Sequence, residues 1–241
     1  MTRGTPVLER LRSRLTELGA VSPQAGAVFF DLDGTLADTA TDLAMPVNAM
    51  RIERGLEPLP LADLRPFASM GARGLIGKGL GIDKEDSRFP ALRDEFLRRY
   101  EDNIVVHTHL FDGMAAVLDS LDACGWRWGI VSNKIERYVR IIMQRLQLTE
   151  RSVAIVGGDT AGFAKPHPAP LLYAAGIAAV NPRSCIYVGD DERDIQAGRA
   201  ADMLTVAAAY GYCGQDSLPQ SWRADATIEH ASALMYELGL R

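Results

Sequence analysis

The stretch Val28-Phe29-Phe30-Asp31-Leu32-Asp33-Gly34-Thr35-Leu36 decides how this chain folds and where its chemistry lies. A short apolar run ends abruptly in two carboxylates two residues apart, with Gly34 and Thr35 directly after them. Residues two apart on an extended strand point the same way. Asp31 and Asp33 are therefore not routine surface charges at the end of a buried strand. One is held at the strand tip, and the other is lifted clear where the chain turns at Gly34. A hard divalent cation lets two such carboxylates sit close together without either being forced to protonate. The question is which other residues converge on this pair.

Working outward, apolar runs at Arg127–Val131, Val153–Val156, Cys185–Val188 and Leu204–Ala208 read as strands, with a short edge strand at Ala226–Ile228. Helical patterns lie between them, from Gly113 to Cys124 and over Glu136–Leu146, Pro168–Ala179 and Glu192–Ala201, and another begins near Ala231. This alternation predicts an α/β fold: a doubly wound, mainly parallel, Rossmann-like sheet with helices on both faces. The first strand is followed by something different. Asp38 or Asp42 is the expected cap of a helix running to about Arg54, with Pro46 in its early part. From there to about Val106 only helical periodicity appears, in Leu75, Ile76 and Leu80, then Phe89, Leu92, Phe96, Leu97 and Tyr100. The expected organisation is an all-helical insert, residues 41–106, within a core made of 23–40 and 107–241. Ahead of it, Val7, Leu8, Leu11, Leu15 and Leu18 put one apolar face on a helix within residues 1–22. Gly19 stops that helix and Ser22-Pro23 links it to the first strand. Docking of the helix on the body is expected, with a dimer contact as the alternative.

Composition narrows the function. The formal net charge of −5 gives no footing for nucleic-acid binding, so an anionic ligand must be held by local cations or a metal. Cys124, Cys185 and Cys213 have neither disulfide nor zinc-ligand spacing, which suits a reducing cytoplasm. His107 and His109 alternate with no further ligands nearby, and a solvated turn is expected there. The charged N-terminus does not read as a signal peptide, and no run of about 18 apolar residues could span a bilayer. A soluble cytoplasmic protein without a membrane partner is the expectation, as monomer or homodimer.

Four polar clusters fall just beyond the carboxyl ends of predicted strands: Asp31 and Asp33; Ser132-Asn133-Lys134; Lys165-Pro166; and Asp190-Asp191 with Asp194. In an open parallel sheet that edge is where ligands bind. Turns favour Asp, Asn and Ser anyway, so one cluster alone says little. Four in the same place relative to four strands supply the parts for attack on a phosphate. Carboxylates suit Mg²⁺, one carboxylate can act as nucleophile on phosphorus, and a neighbour can move the proton. Ser132 and Lys165 suit the phosphoryl oxygens, where charge must be neutralised in the transition state.

With these residues in hand, the chain closely resembles the haloacid dehalogenase-like phosphatases. Asp31-Leu32-Asp33-Gly34-Thr35 matches that family's first motif, Ser132 with Asn133-Lys134 the second, Lys165-Pro166 the third, and Gly189-Asp190-Asp191 with Asp194 the fourth. The resemblance covers Ala27 to the C-terminus. It implies Asp31 as nucleophile and metal ligand, and Asp33 as general acid/base that binds metal through its backbone carbonyl. It also implies Asp190 as the third protein ligand to Mg²⁺, Asp191 or Asp194 supporting metal or waters, and Thr35, Ser132, Asn133 and Lys165 on the substrate. The insert resembles the cap that one large subgroup closes over the site. Gly157-Gly158-Asp159-Thr160, Lys165-Pro166-His167-Pro168 and Ala209-Tyr210-Gly211-Tyr212 are similar to the bacterial phosphoglycolate phosphatases. Leu110-Phe111-Asp112-Gly113-Met114, Trp128-Gly129-Ile130-Val131 and Trp222 with Ala224-Asp225 are similar to the related branch acting on N-acetylmuramic acid 6-phosphate. A small phosphorylated metabolite is therefore the expected partner, and the cap the part that tells one ester from another. Within it, Met70-Gly71-Ala72-Arg73-Gly74 reads as a loop whose Arg73 can grip a substrate carboxylate in two-pronged fashion, with Lys78 a weaker candidate. Carbon–halogen hydrolysis fits less well because it needs neither metal ligands nor a proton-donating Asp33. A phosphoaccepting receiver fits less well because of Asp33 and the long insert. A catalytically silent binding protein would be expected to have lost one of the four motifs.

Overall fold

After the leading helix α1 (Val7–Glu17), the strand β1 (Ala27–Phe30) is buried at every residue and sits in the middle of the sheet. In the computed structural model, described over residues 6–19, 25–214 and 218–240, two further short strands follow it in space. These are β2 (Ala37–Asp38) and β3 (His109–Leu110), which pair antiparallel as a separate ribbon. Neither carries a hydrophobic run, and the sequence signalled neither. The chain leaves the core along β2 and returns along β3.

Between them lie α2 (Ala40–Glu53), α3 (Leu61–Leu64), a 3₁₀ turn (Arg65–Met70), α4 (Gly71–Leu80) and α5 (Phe89–Asp102). Val47 and Met50 of α2 are buried with Leu75 and Ile76 of α4 and Phe96 of α5. The expected loop at Met70–Gly74 is instead the end of the 3₁₀ turn and the first turn of α4, with Gly71 taking the positive φ of 57° at the junction. Asp42 does not cap α2. Its buried carboxylate accepts the backbone N–H groups of Val106, His107 and Thr108 at 2.9–3.0 Å and the Thr108 hydroxyl at 2.7 Å. It thereby ties the start of α2 to the returning chain. Asp38 is the nearer match to the expectation, accepting the Ala40 N–H at 3.2 Å.

The remaining strands β4 (Arg127–Val131), β5 (Ile155–Val156), β6 (Ile186–Gly189), β7 (Leu204–Ala208) and β8 (Ala226–Ile228) complete a six-stranded sheet in the order β5-β4-β1-β6-β7-β8. Every pairing is parallel, with Phe30 of β1 in register with Ile130 on one side and Val188 on the other. Both faces of such a sheet must be covered, which is why its strands are apolar throughout. Val28 and Phe30 pack with α6 (Met114–Ala123), α7 (Glu136–Arg145) and α10 (Ala233–Leu238), and Ala27 and Phe29 pack with α8 (Ala169–Ile177) and α9 (Glu192–Ala200). The sheet is doubly wound, as the alternation predicted.

The apolar face of α1 is covered by its own chain. Val7, Leu11 and Leu15 are buried, each contributing about 1.5–3 kcal/mol. The Val7 N–H donates to Glu237 at 3.0 Å, and Arg10 pairs with Asp225 at 2.7 Å. The expected linker at Ser22-Pro23 lies outside the described residues. Among the described residues no helix is long and apolar enough to cross a membrane.

Candidate active site

The order of the sheet reverses at β1, whose neighbours β4 and β6 lead away in opposite directions. That crevice is where a parallel sheet binds ligands. Pairing continues one residue beyond the strand, where the Asp31 N–H donates to the Val188 carbonyl at 2.9 Å. The chain then coils. The Leu36 N–H reaches the Asp31 and Leu32 carbonyls at 3.2 Å, and the Ala37 N–H reaches Leu32 at 3.0 Å. Asp31 and Asp33 are thus brought together by a turn, not by sharing one face of an extended strand. Gly34 makes the turn with φ of 89°, and a Cβ there would lie 2.2 Å from the Asp190 carboxylate. Only glycine satisfies both demands.

Asp31, Asp190 and Asp194 form one acidic cluster, with carboxylate oxygens within 4.8 Å of one another. The cation among them is Lys165, 4% exposed, whose Nζ lies 2.9 Å from Asp31, 2.7 Å from Asp194 and 2.8 Å from the Tyr187 hydroxyl. The Tyr187 hydroxyl in turn donates a hydrogen bond to the Val131 carbonyl at 2.7 Å. Burial, then the charges of Asp194 and Asp31, push the Tyr187 pKa well up, so it remains a neutral donor. Burial would lower Lys165, but Asp194 and Asp31 outweigh it and its pKa is raised. Burial, then Asp31 and Asp194, push the Asp190 carboxyl well above the ordinary range. These shifts mark a cluster short of positive charge. Oδ1 of Asp31 accepts from the Leu32 N–H at 2.7 Å and from Lys165, while Oδ2 has no hydrogen bond among the described residues.

Asp33 is held from two sides. Lys134 Nζ meets its oxygens at 3.0 and 2.9 Å, and the Thr39 hydroxyl donates at 2.6 Å. Thr39 leads to Tyr212, whose hydroxyl accepts the Thr39 N–H at 2.7 Å and lies 3.1 Å from Asp38. Arg65 of the insert closes the chain on Asp38 at 2.8 Å and lies over the Tyr212 ring at 4.9 Å.

Several residues stand elsewhere than their sequence context suggested. Thr35 is fully buried and donates to Asp190 at 2.8 Å, so it orients a carboxylate and does not face the substrate space. The Asn133 amide donates to the Lys165 carbonyl at 2.9 Å and accepts its N–H at 2.8 Å, bracing that loop. Asp191 caps α9 and grips Arg193 at 2.7 and 2.8 Å, which leaves Asp194 alone of the two in the acidic cluster. Ser132 is 2% exposed and lines the cavity. Arg73 lines the cavity from the first turn of α4, whereas Lys78 lies over Phe67 at 5.5 Å, outside it. Thr39 and Tyr187 carry no motif signal of their own. Lys134, Arg193 and Tyr212 lie within stretches that carry the family resemblance, but the sequence assigned them no role.

The insert roofs this arrangement. Arg193 donates to the Ser69 carbonyl at 3.1 Å, and α5 meets α7 where Glu101 binds Arg137 and Tyr138. Between insert and sheet lies a cavity of ≈ 350 Å³, floored by Asp31, Asp33, Ser132 and Lys165 and walled by Arg73 and Tyr100.

Comparison with known proteins agrees with this geometry. The family model for haloacid dehalogenase-like hydrolases matches residues 28–208. A phosphoglycolate phosphatase of Xanthomonas campestris pv. campestris is 46% identical over 208 residues, covering 86% of this chain and 94% of that one. An N-acetylmuramic acid 6-phosphate phosphatase of Pseudomonas putida is 42% identical over 204 residues, covering 85% and 92%. In fold, the chain is similar to the crystal structure of a predicted phosphoglycolate phosphatase from Haemophilus somnus 129PT. The TM-score is 0.76 at 23% identity, covering 90% of this chain and 99% of that one. A coiled Asp-x-Asp turn at the switch point of a parallel sheet, matched over most of the chain, places this protein in the haloacid dehalogenase-like hydrolase family.

Proposed function

We propose that the chain is a Mg²⁺-dependent phosphomonoester hydrolase working through an aspartyl-phosphate, with 2-phosphoglycolate as its main substrate. The observation that carries the reaction is Asp31. One oxygen is fixed by Lys165 and Leu32, the other has no hydrogen bond among the described residues, and Asp31 lines the cavity. Oδ2 attacks phosphorus in line with the leaving oxygen, which departs with a proton from Asp33. Asp33 then takes a proton from water, and the hydroxide attacks the acyl phosphate, returning Asp31. Ser132 and Lys165 hold the phosphoryl oxygens as their charge develops. An entering phosphate also offers Lys134 a second anion, which frees Asp33 to carry its proton. Three clustered carboxylates are hard oxygen donors that fit Mg²⁺. Asp31, Asp190 and the Asp33 carbonyl would hold the ion, with Asp194 supporting it, and the ion would supply charge neutralisation at the phosphoryl group. Residues 41–106 serve as the cap, and Arg73 at the cavity wall reads the substrate carboxylate. The setting is cytoplasmic, with a small phosphorylated metabolite as partner.

N-acetylmuramic acid 6-phosphate is the second reading. The cavity of ≈ 350 Å³ is larger than a two-carbon ester fills, and Leu43, Phe96 and Leu97 give it an apolar wall. The test is kcat/KM for both esters and several sugar phosphates with Mg²⁺, alongside Asp31→Asn. Wild-type turnover of one ester well above the rest, lost in the folded variant, supports the reading. Substantial turnover by the variant removes Asp31 as nucleophile.

A further inference from the structure

We propose that Tyr212 is a positioning residue for the general acid/base Asp33, acting through the hydroxyl of Thr39. This deepens the phosphatase reading and rests on it. Thr39 stands at the N-cap of α2, where a threonine oxygen ordinarily accepts a helix N–H. Here its side chain makes no such cap. It is fully buried and donates its one proton to Asp33 Oδ1 at 2.6 Å. The Tyr212 hydroxyl holds the threonine in that orientation. The phenol oxygen accepts the Thr39 N–H at 2.7 Å and lies 3.2 Å from Thr39 Oγ1. Its own proton goes to Asp38 Oδ1 at 3.1 Å.

The phenol is itself a fixed arm. The Tyr212 N–H donates to Asp190 Oδ2 at 2.8 Å, and the Tyr210 hydroxyl donates to the Thr35 carbonyl at 2.9 Å. Between them, a Cβ on Gly211 would lie 2.2 Å from the Asp190 Cβ and 2.4 Å from the Gly34 carbonyl oxygen. Residues 210–212 are therefore pressed against the turn that carries Asp31 and Asp33. The Tyr212 ring lies under the Arg65 guanidinium at 4.9 Å and 6.4 Å from Phe111. A phenylalanine would keep both ring contacts, so they do not account for the hydroxyl. Its effect falls on Asp33. Oδ1 accepts from Thr39 and Lys134, whereas Oδ2 accepts from Lys134 alone among the described residues. With Oδ1 anchored, Oδ2 is the oxygen that delivers the proton. As the P–O bond breaks, the Oδ2–H bond breaks too, the alkoxide gains its O–H bond, and Asp33 is left as a carboxylate.

The experiment measures kcat/KM of the full chain with Mg²⁺ on an alkyl ester and on p-nitrophenyl phosphate. The alkyl ester is phosphoglycolate or N-acetylmuramic acid 6-phosphate, whichever the wild type turns over faster. Its alkoxide is too basic to leave without a proton, whereas p-nitrophenolate leaves unprotonated. Breakdown of the aspartyl-phosphate follows departure of that group and does not enter kcat/KM. Tyr212→Phe is expected to lose about tenfold or more on the alkyl ester and less than about twofold on the aryl ester, part of what a positioned acid contributes. Thr39→Val should show the same split, and Thr39→Ser should stay within about twofold of wild type on both. Adding Tyr212→Phe to Thr39→Val should cost less than about twofold more, because the phenol acts through that hydroxyl. Equal losses by Tyr212→Phe on both esters overturn the proposal, since they make the phenol a structural brace. A loss under about twofold on the alkyl ester overturns it as well, and so does full additivity with Thr39→Val. Thermal melting checks that each variant folds; were Tyr212→Phe not to fold, equal behaviour of Thr39→Val and Thr39→Ser would overturn the proposal. Absent wild-type turnover removes the phosphatase reading, and equal losses by Asp33→Asn on both esters remove the acid assignment. Either result takes the role of Tyr212 with it.

Discussion

Replacing Lys165 with methionine keeps an apolar stem of similar shape and removes an ammonium that lies 2.9 Å from Asp31 and 2.7 Å from Asp194. Only 4% of the lysine is exposed, so bulk water does not take its place. Breaking a buried ion pair from one side costs about 3–5 kcal/mol because the surviving charge is left uncompensated. Here two carboxylates lose one cation beside a third, and protonating one of them relieves part of the cost. The sign with pH follows from Asp194, whose carboxyl is raised from 3.8 to about 7, burial acting first and Lys165 opposing. A raised carboxyl means that the folded state keeps a proton the unfolded chain has released. Its contribution to stability therefore falls as pH rises from about 4 to about 7. Without Lys165 that window extends to higher pH. In chelator at about pH 8, Lys165→Met should be less stable by about 3–5 kcal/mol, or about 6–20 °C in Tm for a chain of this size. At about pH 5.5 the defect should shrink. Adding Asp194→Asn should restore part of the loss, with a coupling of about 1–3 kcal/mol in a double-mutant cycle. Thermal and urea unfolding of the four proteins at both pH values measure all of this. A defect under about 1 kcal/mol at the higher pH, or one that grows on acidification, would refute the charge argument.

Removing Mg²⁺ with chelator should reduce hydrolysis to background. Saturating Mg²⁺ should stabilise the folded chain by about 2–3 kcal/mol at a hundredfold excess over Kd, a shift that Asp190→Asn abolishes in thermal scans. Arg73→Ala should raise KM for phosphoglycolate about tenfold or more while changing that for ethyl phosphate far less, and equal changes would remove it from carboxylate recognition. Asp42→Ala strips four hydrogen bonds from a buried site and should cost about 3 kcal/mol or more in urea unfolding. A loss under about 1 kcal/mol would show that the returning chain holds itself in place without that carboxylate.

The sheet was legible because a parallel strand is buried on both faces and must be apolar at every step, as in Ala27–Phe30. The same physics made β2 and β3 invisible, since a two-residue ribbon at the mouth of an insert needs no hydrophobic run. Asp42 looked like a helix cap because Asp often is one. Its actual partners, Val106 to Thr108, lie more than sixty positions away and no local pattern announces them. Met70–Gly74 looked like a loop because glycine favours turns, yet the packing of α4 on α2 makes a helix of it.

By itself, the sequence determined the succession of the six parallel strands along the chain, the helical stretch between the first two of them and the short list of polar residues at strand ends. Each of these follows from local rules: side-chain period, turn chemistry, and the need for carboxylates to be held apart or neutralised. Tertiary structure alone decided how those polar residues divide their tasks. It put Thr35 on Asp190, Asn133 on the Lys165 main chain and Asp191 on Arg193, and it set Lys165 between Asp31 and Asp194. A side chain's role here depends on which hydrogen bonds its distant neighbours have already satisfied, and that is a property of the folded chain.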